Sequence, residues 1–296
     1  MVNPVEAVTV PTQRIADRSP AIALPAAATA VAFVALFYDT FRDLVLQWWS
    51  NPDAGHGLLL GPVCLWLAYR IGIADTAGNR RLGSTVLVAA VLIRLAGTLA
   101  GEYFTMRLSL IVALVGIVIS WRGLPQVRRW WLPFLVATLA IPLPAVLLNT
   151  LAIPLQLMAS KIGAWLIDWR AIPYRLSGNV IDIPGHRLFV AEACSGLRSL
   201  TALLSLGVLI GGTFLGKTWS RLTLVALTIP IAVLLNGARV FLTAFLIYFV
   251  DPSLGQGFMH LSEGWLIFVV AFAAVAAVGV LLKNLERRLG GEGADV

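Results

Sequence analysis

The chain has 296 residues, of which 59% are hydrophobic and only 12% charged, with a formal net charge of +7. Soluble domains carry about 25% charged residues, and half that share cannot cover a water-facing surface. The mean hydropathy of +0.87 points the same way, to a polytopic membrane protein. The positive charge has no basic stripe or nucleic-acid motif beside it, so it reads as the Lys and Arg of cytoplasmic loops. Two cysteines, Cys64 and Cys194, are too few for a disulfide framework. The histidines lack the spacing of a metal-binding helix. No metal and no cofactor is expected.

In chain order, residues 1–20 are polar and mixed, with Pro4, Pro11 and Pro20, and read as a disordered cytoplasmic tail. A crossing of about 30 Å needs roughly 20 apolar residues. The expected crossings run Ala21–Tyr38, Gly57–Ala74, Ser84–Ala100, Leu108–Trp121 and Trp130 to about Asn149. Three more follow, Cys194–Leu215, Leu222–Val250 and Leu261–Leu282, which makes eight. Residues 21–283 thus form one helical membrane domain, and 284–296 a second cytoplasmic tail. The fold class is an all-α polytopic membrane protein.

The basic residues set the orientation. Arg70, Arg80 and Arg81, then Arg122, Arg128 and Arg129, then Lys217 and Arg221, then Lys283, Arg287 and Arg288 all fall in loops of one parity. These are the cytoplasmic loops, and both termini lie inside. Leu151–Trp169 is apolar but carries Pro154, Gln156, Lys161 and Asp168. A full crossing there breaks the parity of later spans, so it reads as an interfacial or re-entrant helix, where Trp165 and Trp169 suit the boundary. Arg170, Arg175 and Arg187 then lie outside, against the charge rule. "LSGNVIDIPGHRLFVAEA" alternates around Pro184-Gly185 and reads as a small extracytoplasmic hairpin-like loop. It delivers Glu192 and Cys194 to the top of the sixth crossing.

"EACSGLRSL" holds Glu192, Cys194, Ser195 and Arg198 within seven positions. A helix N-terminus and nearby cations lower a thiol pKa, and Arg198 shares a helical face with Cys194. Arg239, in "LNGARVFL", stands 18 residues beyond Arg221, about 27 Å along a helix and near the outer face. His260 opens the eighth crossing. A thiol, a guanidinium and an imidazole therefore reach about one height. Such a set suits nucleophilic attack, proton transfer and stabilisation of a developing oxyanion.

Each residue has a plainer role. Cys194 is small enough to pack helices, Ser195 suits a helix cap, and Arg239 is able to pair with Glu192 or Glu263. His260 suits an interfacial anchor. Asn236 stands three residues from Arg239 and faces the same way. Asp53 and His56 lie outside and either line the site or belong to a loop. Cys64 reads as core. His186 reads as hairpin surface, and Glu102 and Arg94 as an internal pair.

Taken together, "EACSGLRSL", "LNGARVF" and His260 at the last crossing resemble the exosortase/archaeosortase family. "AGHGLLLGPVCLWL" and "IPLP" are similar to further family stretches, and the likeness runs from about Tyr38 to Leu282. The resemblance implies an integral membrane cysteine transpeptidase or protease with Cys194, Arg239 and His260 as its catalytic residues. The implied partners are exported proteins ending in a Pro-Glu-Pro-like (PEP-CTERM) motif, a transmembrane helix and a basic cluster. It also implies the bacterial inner membrane and a link to exopolysaccharide production. Arg170, Arg175 or Arg187 is a candidate to bind the acidic centre of such a motif, and the plainer reading of the three is that they face lipid phosphates. Two other readings stand beside it: a non-enzymatic component of polysaccharide export, and a scaffold that holds a partner's transmembrane helix without cutting it.

Overall fold

The computed structural model describes residues 20–51, 54–190, 197–251 and 257–291; the side chains of 20–27, 145, 149, 197–198, 257–265 and 290–291 lie outside that description. So do Asp53, Glu192, Cys194 and Ser195 entirely, and the side chains of Arg198, His260 and Glu263. The helices are α1 (Pro20–Ser50), α2 (Gly57–Ile71), α3 (Arg80–Ala100), α4 (Tyr103–Arg129), α5 (Trp131–Leu139) and α6 (Ala145–Trp169). Strands β1 (Arg175–Ser177), β2 (Val180–Ile183) and β3 (His186–Phe189) follow, then α7 (Leu197–Phe214), α8 (Thr218–Phe249) and α9 (Gly257–Gly291). The chain divides into two units after Asp43, inside α1. The first unit contains the start of that helix, where the Phe33 and Phe37 rings lie 5.1 Å apart. The second unit is Leu44–Val296.

Among the described residues, five helices are long and apolar enough to cross a membrane: Arg80–Ala100, Tyr103–Arg129, Val146–Trp169, Thr218–Phe249 and Leu266–Leu289. Gly57–Ile71 and Ser199–Phe214 are shorter apolar helices. The chain is a mainly helical membrane protein, and its described residues include a small sheet.

One expected crossing is corrected. The apolar run from Trp130 to Asn149 is not one helix, because α5 stops at Leu139 and a new helix starts at Ala145. Pro142 and Pro144 stand in the gap; two prolines this close remove two backbone donors and crowd the preceding turn, which favours a break over a continued helix. Nine residues of α5 rise only about 13 Å. The helix expected from Leu151 instead begins six residues earlier and runs unbroken through Pro154. The helix that contains Lys283, α9, continues to Gly291.

Small residues set the directions of the helices. Gly211 of α7 lies against Arg221 of α8, and Gly207 against Thr228, so α7 and α8 are antiparallel. Leu132 of α5 fills the space beside Gly212, and Leu132, Val136 and Ala140 pack with Val208 and Leu209; α5 is therefore antiparallel to α7 and parallel to α8. Gly163 of α6 lies against Gly237 and Val240, and the Arg170 guanidinium stands 5.7 Å over the Phe245 ring. Hence α6 also runs parallel to α8. The two pieces on either side of the proline break point the same way.

One end of the bundle is built from arginines and helix termini. The Arg129 guanidinium donates twice to the Ile71 carbonyl that ends α2, at 3.1 and 2.9 Å, and the Trp130 indole donates to Gly72 O at 3.0 Å. Gln126, fully buried, accepts from Ala74 N and donates to Gly72 O. Arg122 pairs with Asp75 at 3.5 Å. Gly123 has a φ of 77°, and a Cβ there would come within 2.7 Å of Ala77 O, so only glycine lets the α2–α3 loop lie this close. Arg221 Nε caps α7 through Leu215 O at 2.9 Å. From α9, the buried Glu286 accepts from Gly216 N at 3.1 Å, Lys217 N at 2.7 Å and the Ser220 hydroxyl. That carboxylate supplies the α8 N-terminus with the acceptors it lacks. We call this the arginine end.

The opposite end carries the sheet. Its order is β1-β2-β3, antiparallel throughout. The Pro184-Gly185 turn joins β2 to β3, as the alternating pattern predicts, with Gly185 at φ 77°. The pattern does not predict β1, which joins β2 through Gly178-Asn179. The inward residues Ile181 and Ile183 pack with Ile167 and Ile172, and with Val240, Ala244 and Ile247 of α8. The sheet thus sits on the C-terminal ends of α6 and α8.

Candidate functional site

Arg239 stands on α8 in line with Thr228, Ala232 and Leu235, at steps of four, three and four residues, which is one helical face. Thr228 touches Gly207 of α7. Ala232 and Leu235 belong to the apolar cluster shared with α7 and α9 residues Leu203, Ala271 and Val275. Arg239 therefore faces the α7–α9 side, at the sheet end. Asn236 is buried, 5% exposed, and lies about 60° around the helix from Arg239, toward the α6 side. The expectation that the two face the same way is thus met only to within that offset.

The registers of the flanking helices show what stands beside Arg239. The antiparallel pairing of Gly207 with Thr228 and Gly211 with Arg221, continued to the start of α7, brings Leu197 to about the level of Asn236–Arg239. Leu197 follows Cys194 by three residues. The pairing of α9 with α8, set by Glu286 with Ser220 and Gly279 with Leu224, brings the first turn of α9 to about the level of Thr243. The His260 backbone belongs to that turn.

On the sheet, Arg175 is the cross-strand partner of Asp182, and Asp182 of Arg187. A basic, acidic, basic row thus runs across all three strands on the outward face. Arg187 Nε donates to Asp182 Oδ1 at 2.6 Å. Arg170 lies apart from this row, over Phe245. His56 precedes α2 as its N-cap residue, and α2 packs on α5. Cys64 is buried among Leu60, Leu67 and Val136, in keeping with a core role. Glu102 caps α4, accepting from Phe104 N at 3.1 Å and Thr105 N at 2.6 Å. Burial alone raises the Glu102 carboxyl pKa, but these bonds and the Arg107 charge hold it below the ordinary value.

Val190 and Asn179 escape a reading of the sequence, and Gln156 shows in it only as a polar residue of an apolar stretch. Val190, 3% exposed, donates its N–H to Asn179 O at 2.9 Å, and Asn179 Nδ2 donates back to Val190 O at 3.3 Å. Asn179 Nδ2 also donates to Gln156 Oε1 of α6 at 3.2 Å. The one available signal is a glutamine inside an apolar helix. A buried amide needs partners, but its position along the chain does not name them. Among the described residues, no group of three His, Cys, Asp or Glu is placed to hold a metal ion.

The family model described as transmembrane exosortase (Exosortase_EpsH) matches residues 48–277. No curated protein matches the chain, and no solved structure does.

Proposed function

The chain belongs to the transmembrane exosortase family, and from that premise we propose that it is a cysteine transpeptidase or protease that cleaves C-terminal sorting signals of exported proteins. By the positive-inside rule the arginine end faces the cytoplasm of a bacterial inner membrane, and the sheet end faces the periplasm. α5 and α6, running the same way, make one broken crossing, so α1, α2, α3, α4, the α5–α6 pair, α7, α8 and α9 make eight. On this reading α6 completes a crossing rather than lying apart in the interface. The 32 residues of α8 span about 48 Å, well beyond the hydrocarbon, so the sheet end stands above it.

The observation that carries the reading is the direction of Arg239. A charge along a membrane helix is expensive and marks function by default. This one faces the start of α7, which the Cys194 segment enters, and the face of α9, which His260 opens. In the proposed reaction His260 takes the Cys194 proton and the thiolate attacks the carbonyl carbon of the scissile peptide. Arg239 stabilises the resulting oxyanion. The C–N bond breaks, His260 returns the proton to the leaving amine, and the acyl group remains as a thioester. An amine or water then takes the acyl group and frees the thiol. His260 suits the role of base better than His56, because α9 packs on α8 while His56 caps a helix that packs on α5. The acidic residue of a sorting motif is assigned to Arg175, since Arg187 already holds Asp182.

Mass spectrometry of the new C-terminus of a co-expressed tagged substrate tests this. Cys194→Ala should abolish processing, and persistent cleavage refutes the nucleophile. Removing one oxyanion donor costs about 10²–10³ in rate, so Arg239→Gln should lower turnover by about that factor with KM little changed.

A further inference from the structure

We infer that Asn179 and Gln156 are positioning residues that hold the segment carrying the nucleophile in register with Arg239; the inference rests on the proposed role of Cys194. Val190 is the last described residue before that segment, and Cys194 follows it by four. Both backbone groups of Val190 are held by one residue, through Val190 N to Asn179 O and Asn179 Nδ2 to Val190 O. A regular β-ladder does not require the second bond; a side chain makes it. The same Nδ2 reaches Gln156 Oε1, which ties this corner of the sheet to α6.

The link continues to the catalytic helix. Gln156 is 8% exposed and sits two helical turns before Gly163, which lies directly against Gly237 and Val240 on α8. A chain of contacts thus leads from α8, one residue either side of Arg239–Ala238, through α6 and Asn179 to Val190. Four residues of extended chain reach at most about 14 Å, so the position of Val190 limits where the thiol can go. At the other side Leu197 is fixed by α7. A half-buried amide that must meet two acceptors at once is an expensive way to stabilise a loop, since an apolar pair of the same shape serves as well. It does fix a register, because the bond forms in one alignment only. Displacing a nucleophile by about 1 Å is enough to cost about 10²-fold in rate.

The test uses full-length protein in membranes, in a Cys64→Ala background that leaves Cys194 as the single thiol. Asn179→Asp removes both donated bonds, and Gln156→Met removes the acceptor with little change in shape. Both variants should lower kcat on a tagged sorting-signal substrate by tenfold or more while KM stays within about twofold. Both should also change the rate at which Cys194 reacts with a membrane-impermeant maleimide by several-fold. Gln156→Glu, which restores an acceptor, should recover most of kcat and the wild-type labelling rate; it also serves as the readable variant if Gln156→Met does not accumulate. Folded variants with unchanged kcat and labelling rate overturn the inference. So does an equal loss of kcat in Gln156→Glu and Gln156→Met, which marks a packing role. The labelling rate needs no turnover, so it reports on the clamp even if Cys194→Ala shows that another group is the nucleophile.

Discussion

Gly163 of α6 and Gly237 of α8 meet where these parallel helices touch. A Cβ on Gly163 would stand 2.6 Å from Val240 Cγ1 and 3.4 Å from Gly237 O. A Cβ on Gly237 would fall inside the Ile162 side chain. Small residues let helix backbones approach this closely in a membrane, and here the approach brings the sheet-bearing helix to the helix of Arg239.

Gly237→Val should therefore separate α6 from α8. Overpacking typically costs about 1–3 kcal/mol, and the midpoint of thermal unfolding in detergent should fall accordingly. Substrate processing should fall further than stability, because the contact positions the Arg239 helix. An unchanged midpoint would show that the helices do not touch at this point.

Glu286 is expected to matter for stability and not for turnover. Glu286→Ala leaves Gly216 N and Lys217 N without their acceptor, while the Ser220 hydroxyl keeps Lys217 O at 2.7 Å. Removing the capping acceptor of a helix N-terminus costs about 0.5–2 kcal/mol. A lower melting midpoint with near-wild-type kcat in the surviving protein is the expected pattern. Loss of kcat at unchanged stability would contradict it.

Glu102 supplies a pH dependence whose sign is fixed. Burial alone would raise its pKa, but hydrogen bonds from Thr105 and Phe104 and the Arg107 charge bring it below the ordinary carboxylate value. A group depressed in the folded state stabilises above its unfolded pKa, near 4.3, and that contribution is lost as pH falls through the lower folded pKa. Unfolding followed from pH 6 downward should show the loss below about pH 4 in the wild type. Glu102→Gln should lack that component. Parallel curves for the two proteins would remove Glu102 from the account.

The proposed sidedness is open to direct test. In a protein with both cysteines replaced by alanine, Ser177→Cys on the sheet should react with an impermeant thiol reagent added outside intact cells. Asp75→Cys, at a fully exposed side chain on the loop between α2 and α3, should react only after the membrane is opened. The reverse pattern would invert the topology and place the sheet in the cytoplasm.

Much of this was legible in the chain itself. Apolar runs of sufficient length mark most of the helices, because burying a backbone in hydrocarbon demands helix and excludes charge. The Pro184-Gly185 turn was legible because glycine alone takes φ of 77° without strain. The break after Leu139 was marked by Pro142 and Pro144, yet hydropathy runs straight over it, since proline interrupts hydrogen bonding and not hydrophobicity. The candidate site was legible as types and spacings: an arginine on a membrane helix, a histidine opening another, and a thiol before a third.

Amino-acid order alone thus determined that the chain is a helical membrane protein and where its basic residues gather, because both follow from transfer free energies summed along one segment. Only tertiary structure decided that α5 and α6 run the same way, that Glu286 caps a helix 66 positions earlier at Ser220, that Arg187 is already engaged by Asp182, and that Asn179 grips Val190 and Gln156 together. These contacts join residues far apart in sequence. Their geometry depends on how glycines such as Gly163 and Gly237 let helices close on one another, which no local pattern encodes.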